Sequence, residues 1–200
     1  MTLSDRMALT FKACGIMPRH METLKNTHDG WKASDIKARS LLSNGALVAL
    51  IGQRGTGKTQ LAAQLIRAAI KRTMTKRDFG LPDWTCYVTA KKLFNRIKSS
   101  YDSDGETEDD IINDLLSSPI LVIDEIHMRV GSEWEGGILT ELMDARYGYM
   151  KDTVLISNQE PQDFINNVGP SIADRMNEDG GIIEMNWKSF RGITPNTTRR

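Results

Sequence analysis

The sequence predicts an α/β protein in which a parallel central sheet is covered by helices on both faces. The first reason is a set of short apolar runs, ALVALI (46–51), ILVIDE (120–125) and TVLIS (153–157), typical of strands buried on both sides. The second is that segments with helical spacing separate these runs, and strand–helix–strand order favours a parallel sheet. The third is the glycine-rich turn GQRGTGKT (52–59), which joins the first run to a helical segment.

The remaining elements follow from local patterns. WTCYVT (84–89) and GIIEMNW (181–187) are predicted as further strands, and GIMPRHMETLKN (15–26) as irregular because Pro18 breaks it. Thr107 and the carboxylates beside it favour the start of a helix. Helices are predicted over residues 3–15, 35–42, from the glycine-rich turn to 72, and over 90–101, 110–118, 133–147, 161–168 and 171–176. The first helix is amphipathic, and either docks on its own domain or binds a partner.

Composition limits the classes of protein. With 200 residues, 40% hydrophobic content and a formal net charge of +0, the chain fits one globular domain without overall attraction to nucleic acid. Cys14 and Cys86 form no Cys-x-x-Cys pair, so reduced thiols are expected. No apolar run approaches the ~18 residues of a membrane span, so we expect no membrane contact and a cytoplasmic location.

A phosphate-binding loop is the strongest motif. It consists of Gly52, Gln53, Arg54, Gly55, Thr56, Gly57, Lys58 and Thr59, followed at the helix start by Gln60. The pattern G-x-x-x-x-G-K-[ST] lets backbone amides and a helix N-terminus surround phosphate oxygens. Lys58 is then expected on the β- and γ-phosphates, and the Thr59 hydroxyl on Mg²⁺. The motif predicts a bound nucleoside triphosphate, and the sequence does not decide between ATP and GTP.

Polar residues at two strand ends indicate hydrolysis. Asp124 ends the apolar run ILVID and is expected to hold the Mg²⁺ ion, while Glu125 can orient an attacking water. Because ligands of parallel sheets lie at the carboxyl ends of strands, Asn158, after LIS, can contact the γ-phosphate or the same water. Alternatively, Asn158 only forms a turn. A small-molecule kinase would need substrate rather than water at this point.

The set of motifs resembles one family. GQRGTGKT, LVIDE, LISNQ, ADRM and EMNWKSFRG occur in the order and compact spacing found in AAA+ ATPases of the DnaC-type helicase loaders and the related IstB-type transposition ATPases. The resemblance implies a three-layer αβα P-loop NTPase of AAA+ type that binds ATP and Mg²⁺. The sequence after EMNWKSF leaves no room for the C-terminal helical lid that such proteins usually carry.

The resemblance also implies partners. Arg175 of ADRM would be an arginine finger that reaches the nucleotide of a neighbouring copy, which makes the active unit a homo-oligomer. By itself, an arginine beside Asp174 is also compatible with a surface ion pair. Ser132 and Trp134 would line a channel for single-stranded DNA, although Trp134 also fits ordinary packing. Lys91 and Lys92 either meet DNA phosphates or form a solvated helix face.

The sequence and the resemblance together predict an organisation and a function. We expect an N-terminal helix and linker over 1–32, an ATPase core over 33–190 and a flexible tail over 191–200. The first functional hypothesis is an ATPase that loads or remodels a replicative helicase in a bacterial or phage-infected cell. The alternatives are a transposition helper acting on duplex DNA and a transposase, a small-molecule kinase, and a nucleotide-gated adaptor with negligible hydrolysis.

Overall fold

The structure is a computed structural model that describes residues 3–20, 28–42, 44–74, 85–102, 105–126 and 132–190. Its strands are β1 (Leu47–Ile51), β2 (Tyr87–Thr89), β3 (Ile120–Asp124), β4 (Asp152–Ser157) and β5 (Gly180–Glu184). Its helices are α1 (Leu3–Ala13), α2 (Asp29–Leu41), α3 (Lys58–Met74), α4 (Ala90–Ser100), α5 (Glu108–Ser117), α6 (Glu133–Gly148), α7 (Pro161–Val168) and α8 (Pro170–Glu178), with a short 3-10 helix at Pro18–His20.

The strands form one parallel sheet in the order β2-β3-β4-β1-β5. The apolar run of β1 is buried along its whole length, and its side chains alternate between two cores. Val48 and Leu50 lie in the core shared with α1, α2 and α3, whereas Leu47, Ala49 and Ile51 lie in the core shared with α4 to α8. The predicted three-layer αβα architecture is therefore confirmed, and the continuous apolar runs are strands buried on both faces.

The first helix docks on its own domain, as one of the two sequence interpretations had it. Its residues Thr10 and Phe11 are buried, as is Cys14 just after it, and the helix packs against α3, where the Arg67 guanidinium lies 4.7 Å from the centre of the Phe11 ring. Cys14 and Cys86 are free thiols, as expected, but their sulfurs lie only 3.2 Å apart. The fold thus joins two cysteines that are distant in sequence.

Helix α2 begins earlier than its pattern predicted. The prediction started at Asp35, but the helix starts at Asp29, where His28 Nδ1 accepts a hydrogen bond from Gly30 N at 3.1 Å. Histidine is an uncommon N-terminal cap and glycine a poor helix former, so the start signal there is weak and consists of the acidic Asp29 in the first turn. The division expected after residue 32 falls inside this helix, and the three-part organisation stays a prediction.

Other predicted segments differ in extent, among them the strand predicted over 181–187, which spans Gly180–Glu184. The strand predicted over 84–89 is confirmed only as Tyr87–Thr89, and the segment predicted as irregular includes the 3-10 helix at Pro18–His20. The expected tail, 191–200, lies outside the described residues. In the part of the chain that the structure describes, no helix is long and apolar enough to cross a membrane.

Candidate nucleotide site

The phosphate loop turns sharply between β1 and α3. Gly52, Gly55 and Gly57 have φ angles of 143°, 87° and 90°. Residues that carry a Cβ atom rarely adopt such positive φ angles. A Cβ atom on Gly52 would lie 2.5 Å from the backbone oxygen of Met185, so the close approach of the chain after β5 also requires glycine. Helix α3 begins directly at Lys58, which puts its N-terminus at the loop, as the motif predicts.

Lys58 lies buried inside the loop it belongs to. Its ammonium group donates hydrogen bonds to the backbone oxygens of Gly52 at 2.5 Å and Gln53 at 2.8 Å. The Thr56 hydroxyl donates to the same Gln53 oxygen at 3.0 Å. The lysine charge is therefore held within the turn, next to the predicted position of the phosphates.

Thr59 and Asp124 meet at the point where Mg²⁺ was predicted. The Thr59 hydroxyl donates to Asp124 Oδ2 at 2.8 Å, and Glu125 N donates to Asp124 Oδ1 at 2.7 Å. A hydroxyl and a carboxylate beside a phosphate loop are the hard oxygen ligands that Mg²⁺ takes, usually with phosphate and water completing the shell. The two residues fit the ion.

Tyr87 is a third group on this carboxylate, and the sequence did not identify it. Its buried hydroxyl donates to Asp124 Oδ2 at 2.8 Å. Burial and the nearby Asp124 charge raise the pKa of Tyr87 well above its usual value, so the phenol stays a proton donor. Asp124 is thereby oriented by donors on three sides.

Glu125 and Asn158 stand beyond the ends of neighbouring strands. Glu125 follows β3 with a φ of 63°, a left-handed conformation that is uncommon outside glycine and often marks functional positions. Its side chain is exposed, and Asn158 follows β4, the strand paired with β3. The sequence prediction that these two side chains lie at one edge of the sheet is confirmed.

A cleft of about 760 Å³ joins these predicted groups. Its lining includes Arg54, Gly55, Gly57, Lys58, Thr59, Gln60, Asp124, Glu125 and Asn158. Arg19, His20 and Phe190 line it as well. Gln60 contacts the segment that contributes His20, since its Nε2 donates a hydrogen bond to the His20 backbone oxygen at 3.3 Å.

Arg175 is not among the described residues that line the cleft. Its guanidinium is 2.9 Å from Asp144 Oδ1, donates to the backbone and hydroxyl oxygens of Ser171 at 2.9 Å and 2.5 Å, and lies 5.6 Å from the Tyr147 ring centre. An action of Arg175 on nucleotide would therefore concern the cleft of another copy.

The residues predicted to contact DNA lie on and beside α4 and α6. Two of them, Ser132 and Trp134, also make contacts within the fold. Ser132 caps α6 by accepting a hydrogen bond from Glu135 N at 3.3 Å. Trp134 is half-buried between the two helices, with ring centres of Phe94 and Tyr101 at 6.1 Å and 6.2 Å and Lys98 Nζ at 4.9 Å.

Lys91 and Lys92 are exposed in the first turn of α4, which Thr89 caps. Their exposure fits either a solvated face or a DNA contact. Capping of α6 thus accounts for the position of Ser132, and packing against α4 accounts for that of Trp134. A role of these four residues in DNA binding stays a prediction.

Other proteins of known identity are similar to this chain in sequence and fold. The chain is 26% identical over 195 residues to the replicative helicase loader DnaC of Escherichia coli strain K12, and the match covers 93% of this chain and 76% of that protein. The crystal structure of the DnaC helicase loader matches with a TM-score of 0.66 at 19% identity, over 84% of this chain and 99% of that one. AMPPCP-bound DnaA from Aquifex aeolicus matches with a TM-score of 0.63 at 21% identity, over 85% of this chain and 51% of that one.

These structural matches give the fold, the αβα arrangement of AAA+ P-loop proteins. The sequence profile of the family described as "IstB-like ATP binding protein" matches residues 20–194, which include every described lining residue of the cleft except Arg19. The chain therefore belongs to the IstB-like ATP-binding proteins, and DnaC is a homologue.

Proposed function

We propose that the protein is an oligomeric ATPase that loads or remodels a replicative DNA helicase and binds single-stranded DNA. The observation that carries the proposal is the 26% identity to a replicative helicase loader over 93% of the chain. Family membership implies a P-loop NTPase of AAA+ type. The proposed place of action is the cytoplasm of a bacterial or phage-infected cell.

The cleft supports hydrolysis. Bound between Thr59, Asp124 and the nucleotide, Mg²⁺ would neutralise charge that develops on the phosphate oxygens. Glu125 lies next to Asp124 with its carboxylate exposed to the cleft, where it orients and polarises the attacking water. Asn158, from the adjacent strand end, fixes the same water or the γ-phosphate, and Lys58 supplies positive charge to the β- and γ-phosphates.

Arg175 supports an assembly of several copies. It is a partly exposed arginine outside the cleft of its own chain, held in one orientation by Asp144, Ser171 and Tyr147. An arginine already oriented loses little side-chain entropy when it meets a phosphate. Supplied in trans, such a residue contributes about 10³ to 10⁵ in the rate of phosphoryl transfer.

A second candidate function rests on the family profile, which is named for IstB-like ATP-binding proteins. A transposition helper of this type would act on duplex DNA with a transposase. The two candidates share the nucleotide chemistry and differ in the DNA and protein partner that stimulate it.

The experiment is an ATPase assay without DNA, with single-stranded DNA and with duplex DNA. We expect slow basal turnover that single strands stimulate, and a loss of about 100-fold or more in Glu125→Gln with nucleotide binding retained. Lys58→Ala, the control for nucleotide binding, should show neither binding nor turnover. Stimulation by duplex DNA alone would replace the first candidate with the second, and absence of turnover under all conditions would contradict both.

The partner is tested by mixing the protein with the replicative helicase of its host and ATP. Comigration in gel filtration that needs ATP, and faster deposition of the helicase on single-stranded circles, would support the loader. A helicase that neither comigrates nor loads faster, together with activity on single strands, would contradict that assignment.

A further inference from the structure

Three consecutive carbonyl groups of the phosphate loop are held by donors from outside the loop. The Gly55 oxygen accepts a hydrogen bond from Phe190 N at 2.8 Å. The Thr56 oxygen accepts one from Trp187 Nε1 at 3.0 Å. The Gly57 oxygen accepts one from Trp31 Nε1 at 3.3 Å, beside the first helical bond of α3 from Leu61 N at 2.8 Å. The donors come from two distant parts of the chain, α2 and the segment after β5.

Because the peptide bond is planar, these contacts also set the direction of the neighbouring N–H groups. In a trans peptide unit, the carbonyl of one residue and the N–H of the next point in opposite directions. Carbonyls of Gly55, Thr56 and Gly57 that are fixed on the side of the two indoles therefore aim the N–H groups of residues 56, 57 and 58 to the other side. Those amides belong to the part of the loop where the motif puts the phosphates.

We propose that Trp31 and Trp187, together with the Phe190 amide, form a clasp that holds the phosphate-loop amides in their phosphate-binding orientation before nucleotide arrives. The two tryptophans are positioning residues, since each acts through a backbone carbonyl rather than on the ligand. The clasp rests on the nucleotide binding in the proposed function and on no other part of it.

Indole is suited to this task. Its N–H is only a donor, so a tryptophan can hold a carbonyl but cannot itself accept a hydrogen bond from the loop amides in place of a phosphate oxygen. The rings are also fixed by packing. Trp31 is only 4% exposed, and Trp187 stacks on His28 with ring centres 5.6 Å apart and planes 13° from parallel.

The glycines facing the clasp fit the same interpretation. A Cβ on Gly57 would lie 2.8 Å from Trp31 Nε1 and 3.1 Å from a ring carbon of Phe190, and a Cβ on Gly30 would lie 3.0 Å from the Trp187 ring. Only glycine lets the rings approach this closely. The closing motif EMNWKSF thus has a physical role at the nucleotide site that the loop sequence alone does not reveal.

The clasp is tested with Trp187→Phe and Trp31→Phe, which remove the indole donor and keep an aromatic ring. Affinity for Mg·ADP and for a non-hydrolysable ATP analogue is measured by calorimetry. Loss of one hydrogen bond that orders the loop predicts about three- to tenfold weaker binding in each variant. The double variant should lose more than either single one, and turnover at saturating ATP should fall less than affinity.

A purely structural role is separated by a stability-matched control. Ile111→Val lies in the core on the opposite face of the sheet, and should lower the melting temperature without changing nucleotide affinity. In the wild type, ADP should shift the indole N–H resonances of Trp31 and Trp187, each assigned from the corresponding Phe variant.

The outcomes discriminate between the clasp and the function it serves. Wild-type affinity in both variants, or indole resonances that ADP leaves unmoved, would overturn the clasp while nucleotide binding stands. If the wild type itself binds no nucleotide, the proposed function fails as well. Equal losses of affinity in Ile111→Val and the tryptophan variants would reduce the effect to general stability and also overturn the clasp.

Discussion

Tyr87 donates its phenolic hydrogen to the Asp124 oxygen that also accepts the Thr59 hydroxyl. At the scale of single residues, this contact makes a direct prediction. Without the phenol, the carboxylate loses one of the groups that orient it toward the ion, and groups that orient ligands of a metal affect its affinity about 10- to 100-fold.

We therefore predict that Tyr87→Phe raises the Mg²⁺ concentration needed for half-maximal ATP hydrolysis by about tenfold. Turnover at saturating Mg²⁺ should change less. Tyr149→Phe is the control, because Tyr149 is 68% exposed and does not belong to the described lining of the cleft. An unchanged Mg²⁺ dependence in Tyr87→Phe would show that Asp124 needs no help from this phenol.

Side chains that reach the site from distant parts of the chain could not be predicted from the sequence. Lys58, Thr59, Asp124 and Glu125 could be predicted because each belongs to a short motif with a fixed spacing. Tyr87 reaches Asp124 across 37 positions of sequence, and Trp187 reaches Thr56 across 131. Such contacts exist only once the sheet is assembled, and no local pattern encodes them.

At the scale of elements, α5 illustrates a helix start that was predictable. The Thr107 hydroxyl accepts from Asp110 N, and the Asp110 carboxylate accepts from Thr107 N at 3.0 Å, so the two form a reciprocal cap. These bonds from Thr107 lower the pKa of Asp110 below its ordinary 3.8. Its contribution to stability is therefore complete above the ordinary value and is lost as pH falls through the lowered one.

Thr107→Ala should destabilise the fold by about 1 kcal/mol, whereas Thr107→Ser, which keeps the acceptor, should cost little. The reason is that an N–H of the first turn loses its partner in the alanine variant. Urea unfolding at neutral pH measures the loss, and an NMR titration of Asp110 should show its pKa returning toward 3.8 in Thr107→Ala. An Asp110 pKa that stays low in that variant would contradict the reciprocal cap.

Among the elements, the strands were predicted best and α2 worst. The strands β1, β3 and β4 are buried along their whole length and mostly apolar, as a sheet covered on both faces requires. The start of α2 depends on His28, whose ring accepts from Gly30 N and stacks on the distant Trp187. Tertiary packing, rather than helix propensity, sets that start.

At the scale of the whole molecule, Arg146 connects α5, α6 and β4. It is fully buried, and its guanidinium donates to the backbone oxygens of Leu115, Ser118 and Asp152 and to the Thr153 hydroxyl. Burial lowers the pKa of Arg146 to about 10, so the side chain keeps its charge at neutral pH.

Replacing Arg146 with methionine would leave several buried carbonyl groups without donors. We predict that Arg146→Met lowers the free energy of unfolding by at least about 3 kcal/mol. Urea denaturation measures the change. Arg39→Met is the matched control, because Arg39 forms a partly exposed ion pair with Asp35 and should cost about 0.5 kcal/mol or less. Similar losses in both variants would show that the carbonyl contacts contribute little.

In the proposed assembly, the cleft of one copy works with Arg175 of the next. Glu125→Gln retains the arginine but cannot activate water, and Arg175→Ala retains the intact cleft but supplies no cation to its neighbour. Each variant alone should be almost inactive. In a mixture, some interfaces combine the intact cleft of one variant with the intact arginine of the other.

The most direct measurement is the ATPase rate of an equal mixture of these two variants, with single-stranded DNA present. Random assembly of head-to-tail interfaces predicts recovery of about a quarter of wild-type turnover. A mixture no faster than the sum of the separate variants, or an Arg175→Ala protein with full activity by itself, would contradict the assembly.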